Sequence, residues 1–197
     1  MKDLFTEIES CLAIHDHLNF DLDSQDLNVD LNNGLSSLIT LNHQCNIIIW
    51  KEEDLARRTD AEPQSIVANK RTIDKFNQMR NDAIEMIDQE ILVAFKDVEL
   101  KKNASQNSET IGSIIDRLSI LNLKIRATKI NMNSSNGSLV KLCIDRIQVL
   151  NLQLDDLKKS LFFLIEHCSR GKKYIKVYRQ YKMYNDSRFN KNITKKN

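Results

Sequence analysis

The chain is poor in the residues that end helices and close turns. Its 197 residues include one proline and four glycines. A sandwich or barrel needs turn signals roughly every 8–12 residues, so this scarcity excludes an all-β domain. No run of about 18 apolar residues occurs, which argues against a membrane-spanning helix. The opening stretch, MKDLFTEIESCLAIHDHLNF, carries acids in its first turns and lacks the small-residue cleavage site of a signal peptide. The expected location is therefore cytoplasmic. CxxC pairs are also missing: Cys11, Cys45, Cys143 and Cys168 are scattered, whereas a zinc cluster needs close spacing. In a reducing compartment these thiols are expected as small buried hydrophobes.

What remains is helical periodicity. Hydrophobic residues make up 41% of the chain, and they recur at steps of three and four. The expected architecture is all-α: a single antiparallel bundle of about five principal helices with a basic C-terminal arm. One domain spans residues 1–197, with an acidic N-terminal helix and loop (1–33), a core bundle (34–169) and the arm (170–197). Helices are expected at 3–18, from about 34 to 58, 63 to 101 and 108 to 131, and at 138–169. Pro63 suits a first turn, Ser108 is a candidate N-cap, and Gly171 stops the last helix. Ile147, Leu150, Leu154, Leu157, Leu161, Leu164 and Cys168 form the cleanest stripe. Ile111, Ile114, Leu118, Leu121 and Ile125 offer it a partner.

Two helices break this pattern. In LNHQCNIIIWKEEDLARR (41–58), His43, Asn46, Trp50, Glu53 and Arg57 share one sector of a helix. In the next, Lys70, Asp74, Asn77, Asn81, Glu85 and Asp88 run beside the apolar seam of Ile73, Phe76, Ala83, Ile84, Ile87, Ile91, Phe95 and Val98. A solvated ladder would explain Lys70 and Asp74, but Asn77 and Asn81 are poor mid-helix residues unless their amides bond something. If the two lines face each other, a buried polar network lies between them. Such a network costs several kcal/mol per ion unless paired, and a network that does not help folding commonly serves binding or catalysis.

The chemistry of that site follows from its residue types. Glu53, Asp54, Glu85 and Asp88 supply carboxylates that can hold Mg²⁺ or Mn²⁺; Glu53 and Glu85 can also shuttle protons. Arg57, Arg71 and Arg80 can hold an anion, and His43 is a candidate general base. Asn46, Trp50, Asp74, Asn77 and Asn81 would support them. The pairing resembles the acidic motifs of the all-α nucleotide pyrophosphohydrolases, although only EMID has the ExxD form and the upstream ExxE is missing. In the arm, Tyr174, Tyr178 and Tyr181 share helical spacing among Lys and Arg, which fits docking on the bundle. The acidic remainder of the chain argues against nucleic acid, with eight acids against Lys2 in residues 1–31. A small-molecule ligand and a homo-oligomer both fit.

A family resemblance runs through these segments. Trp50, Glu53, Asp54 and Arg57, then Arg71, Ile73 and Asp74, then Asn77, Gln78 and Arg80, then Asp82, Glu85, Ile87 and Asp88, and finally Lys182, Met183, Tyr184, Asn185 and Asp186 resemble the pattern of the bacterial DUF4254 family. The resemblance covers residues 38–186. It implies a helical fold, brings no established activity, and adds Lys182 and Tyr184 as residues the arm could bring to the site. Members often sit among genes for envelope glycan assembly such as heptosyltransferases, which implies an accessory role there as the rival to a small-molecule enzyme.

Overall fold

The computed structural model describes residues 2–17, 22, 27, 34–178 and 188. The helices are α1 (Lys2–Leu12), α2 (Ile14–His17), α3 (Leu35–Ala56), α4 (Pro63–Ala94), α5 (Ile111–Asn133) and α6 (Ser138–Ser169). Two-residue strands, β1 (Ser105–Gln106) and β2 (Lys173–Tyr174), form the remaining regular structure among the described residues. The all-α expectation is met. A turn at Ala13 divides the expected first helix, and α2 then sets His15 against His43 of α3.

Pro63 takes the first turn of α4, where its fixed φ suits a helix and its missing N–H is no loss. That helix ends at Ala94 rather than Lys101: Phe95, Lys96 and Val98 bond back within turns, and the chain then gives N–H groups to the segment beyond α6. Lys101 donates to Gly171 O at 2.9 Å, Ser105 to Lys172 O at 3.1 Å and Asn107 to Tyr174 O at 2.8 Å. β1 and β2 thus pair in parallel, Ser105 with Lys173 and Gln106 with Tyr174. Gly171 permits this at φ +63°, and a Cβ there would collide with the Glu99 carbonyl oxygen. The spacer KKNASQNSE carries no signal of the pairing. The N-cap of α5 is Thr110, not Ser108; its hydroxyl accepts from Ser113 N at 3.2 Å.

The main core joins Ile8 of α1, Ile39 of α3, Ile87 and Ile91 of α4, Ile115 and Leu118 of α5, and Leu161 and Ile165 of α6. A smaller cluster of Leu41, Cys45, Ile48, Phe76 and Ala83 lies between α3 and α4, with Leu22 and Leu27 packed on it. All four cysteines are free and buried, as expected. Burial raises the Cys11 and Cys168 thiols and pushes Cys45 up to about 12. α3 is packed by α1, α2, α4 and α5, and every residue from Leu41 to Ile48 is buried. It is a central helix with no wet face along that stretch.

Asp88 pins α4 to the start of α5. It is 2% exposed, and its Oδ1 accepts from the Gly112 N–H at 2.6 Å. A carboxylate at a helix N-terminus meets unpaired donors and the positive end of the dipole. The approach is so close that a Cβ at Gly112 would lie 2.7 Å from Ile84 O and 2.9 Å from Asp88 Oδ1. Burial lifts the Asp88 carboxyl to about 6, against hydrogen bonds from Thr110 and Gly112 that lower it.

Two outcomes follow. Gly112→Ala forces this crossing apart, at a cost of about 1–3 kcal/mol that exceeds the roughly 1 kcal/mol gained in helix propensity; urea unfolding will show a net loss. The raised folded-state pKa of Asp88 means that the native state holds the proton more tightly than the unfolded chain. Its contribution to stability therefore falls as pH rises from about 4 to about 6. Asp88→Asn keeps an acceptor for Gly112 and will remove that slope from the pH profile of unfolding.

Candidate functional site

The polar residues of α3 converge mainly on α5, not on the acidic line of α4. Asp116 of α5 is 8% exposed, and its Oδ1 accepts from Asn42 Nδ2 and Asn46 Nδ2, each at 2.9 Å. Asn46 Nδ2 also donates to Ser119 Oγ at 2.9 Å. Ser119 Oγ stands 2.8 Å from His43 Nδ1, and the His43 ring stacks on His15 at 4.6 Å between centroids. From α4, Arg80 reaches in: its Nη1 donates to Asn46 Oδ1 at 3.4 Å, and its Nε lies 3.9 Å from Asp116 Oδ1. Two amides and a guanidinium thus compensate the buried carboxylate.

Asn46 and Arg80 of this network line a pocket of about 280 Å³ between α3, α4 and α5. Asn46, Trp50, Glu53, Asp54 and Arg57 of α3 line it, with Arg80 of α4 and Ile120 and Leu123 of α5. The volume is near the lower bound of small-molecule sites, about 300 Å³. Trp50 is half-buried. Arg57 is largely exposed, with Nη2 at 2.8 Å from Glu53 and Nη1 at 3.7 Å from Asp54. Exposed pairs of this kind are worth about 0–1 kcal/mol, so Arg57 can exchange them for another anion at little cost.

The remaining candidate residues lie elsewhere. Arg71 is exposed on α4 and does not line the pocket. Asp74 is exposed and pairs with Lys70 at 2.8 Å, so this part of the line is the solvated ladder. Asn77 and Asn81 are half-buried on α4, outside the pocket. Asn69 lies beside Glu52 and Arg80 beside Asn46, which puts Glu53 level with the early turns of α4. Glu85 is more than a dozen residues farther along that helix, or about 20 Å. The expected Glu53–Glu85 pairing is therefore corrected. Asp88 is spent on the Gly112 N–H. Among the described residues no three His, Cys, Asp or Glu side chains converge as a metal site, so the structure does not bring Glu53, Asp54, Glu85 and Asp88 together as one ligand set. Lys182 and Tyr184 lie outside the described residues.

His43 is corrected as well. Only 1% exposed, it is lowered to about 4 by burial first and by Arg126 second. It is neutral near pH 7 and is not poised as a general base. Asn42, Asp116, Ser119 and His15 were missed. Asn42 stands one turn before Asn46, and that spacing was the available signal.

His15 is lowered to about 3, by burial, then by His43 and Lys158, and neither ring nitrogen has a hydrogen-bond partner among the described residues. Both rings have folded-state values below that of an unfolded histidine, so the unfolded chain binds the protons first. Stability is lost as pH falls from about 6.5 toward 4. At pH 5 each ring contributes a loss of about 2 kcal/mol. This exceeds the opposite Asp88 term over the same interval. His15→Phe keeps the stacking and removes one protonation site; its unfolding free energy will drop less between pH 7 and pH 5 than that of the parent. Equal drops would refute the histidine account.

Comparison with known proteins agrees with the motifs on α3 and α4. No curated protein and no solved structure matches the chain. A family model described as a protein of unknown function (DUF4254) matches residues 36–177, which covers α3 through β2 and the whole pocket. With both its polar helices inside that match, the chain belongs to the DUF4254 family.

Proposed function

We propose that the pocket between α3, α4 and α5 binds a phosphorylated or sugar-linked small molecule. The observation that carries this is Arg80: it lines the pocket, one long hydrogen bond to Asn46 and the nearby Asp116 carboxylate orient its guanidinium from within, and its buried Nε has no hydrogen-bond partner among the described residues. A preorganised guanidinium loses little entropy on meeting a phosphate, which it can bind with two parallel hydrogen bonds. Arg57 supplies a second, exchangeable cation, and Trp50 gives a flat apolar face. Glu53 and Asp54 can accept from hydroxyl groups. Mg²⁺ commonly uses one or two carboxylates together with substrate phosphates and water, so Glu53 and Asp54 suit a cation that arrives with its ligand. If turnover accompanies binding, Glu53 is the acid–base group at the pocket.

A second reading, a non-catalytic accessory protein in envelope glycan (lipopolysaccharide) assembly, has one structural observation in its favour. Leu142, Val149, Leu152 and Phe163 of α6 are 44%, 55%, 61% and 54% exposed and lie toward one side of that helix, as a partner surface would. The assembly itself is proposed from the family resemblance.

The pocket is tested by titrating sugar phosphates and nucleotide sugars by calorimetry, with and without Mg²⁺ or Mn²⁺. Affinities of about 1 μM to 1 mM are expected. Arg57→Ala and Trp50→Ala should each weaken binding at least tenfold, about 1.4 kcal/mol, with little change in melting temperature for Arg57→Ala. The pocket reading does not survive if both variants bind as the parent does, or if no compound binds.

A further inference from the structure

A larger recess lies farther round α5, with Ile120 on the border between it and the pocket. It is a trough between α5 and α6 of about 1160 Å³, beyond the usual small-molecule range of about 300–1,000 Å³. Along α5 it extends from the helix start to Lys124, about 20 Å or nearly four helical turns. Ile114, Leu157 and Leu164 are buried in its floor, while Phe163 at its edge is 54% exposed.

Its charge is unbalanced toward cations. Arg117 is answered by Glu109 at 2.8 and 2.9 Å, and Lys173 donates to Asn107 at 3.0 Å. Lys124 and Lys159 are exposed on opposite rims and enter no ion pair among the described residues. Asp156 is the other acid of the lining.

We propose that this trough docks an acidic amphipathic helix of another protein. An apolar stripe at i, i+3, i+4 and i+7 would lie on the floor, with carboxylates beside it meeting Lys124 and Lys159. Other occupants fit less well. Leu22 and Leu27, the described residues of this chain's acidic stretch, pack on the α3–α4 cluster and not in the trough. A second copy docked trough to trough would set the same two lysines against their own kind. Single-stranded nucleic acid needs stacking platforms, and the lining has one aromatic ring. This names the partner chemistry of the accessory reading and rests on it; the small-molecule pocket is a distinct recess that shares only Ile120 with the trough.

The test uses the full chain and three labelled helical peptides of about five turns. They share one leucine stripe and carry Glu, Gln or Lys beside it. Fluorescence anisotropy should give a Kd of about 10–100 μM for the Glu peptide and at least tenfold weaker binding of the Lys peptide. The double variant Lys124→Glu/Lys159→Glu should lose at least tenfold for the Glu peptide and reverse the order of preference. Both side chains are exposed, so its melting temperature should match the parent. Equal binding of all three peptides, no binding of any, or an unaffected double variant overturns the proposal. If Leu142→Ser/Leu152→Ser abolishes binding and the lysine variant does not, the contact lies on the outer face of α6. That result removes the trough and leaves the accessory reading intact. Light scattering that shows self-association lost in the lysine variant assigns the trough to a second copy and overturns the proposal too.

Discussion

The carboxylate of Asp116 holds three helices at one point. Asn42 and Asn46 reach it from α3 and Arg80 approaches from α4. A buried carboxylate is costly unless its lone pairs are answered, and removing one partner from such a group is far more damaging than replacing the whole set with apolar residues. The position of Arg80, and so the cationic wall of the pocket, depends on this arrangement. Ser119 and His43 extend it toward the N-terminal helices, where His15 closes the stack. The pocket and the seating of α2 are thus two ends of one polar chain.

The helices themselves were readable in the sequence because most have one dry side. α6 keeps Leu154, Leu157, Leu161, Leu164 and Cys168 buried, as its stripe requires. α3 does not obey that logic. With Leu41 to Ile48 buried on every side, an amphipathic reading picks out a stripe that is only one edge of a surrounded cylinder. That reading found His43, Asn46 and the pocket residues through Arg57, yet set them against the acidic line of α4 and passed over their partners on α5. On α5 the buried arc holds Asp116 and Ser119 in addition to the leucine and isoleucine stripe, so a search for one apolar face passed over them. The β1–β2 pairing was illegible for another reason: backbone hydrogen bonds between distant segments depend on where the helix ends arrive, not on side-chain pattern.

The Asp88–Gly112 contact shows how a candidate metal ligand can be a joint. Spacing alone made Asp88 part of an acidic motif, but its neighbour is an N–H group at a helix start. What distinguishes the two roles is a glycine 24 positions later. Its missing side chain is what lets the helices come close enough for a direct bond. Asp88 and the histidines also respond to acid in opposite senses, so the protein's pH profile is a difference of local terms and not a property of its net charge.

The four buried cysteines give the fold a set of internal probes. Cys11 sits on α1, Cys45 on α3, and Cys143 and Cys168 near the two ends of α6. A thiol-reactive reagent meets each only when its own helix lifts away, so labelling rates followed by mass spectrometry would rank the opening of α1, α3 and both ends of α6 in one experiment. The residues that carry no motif thereby become timers of the bundle's local dynamics, with no engineered label required.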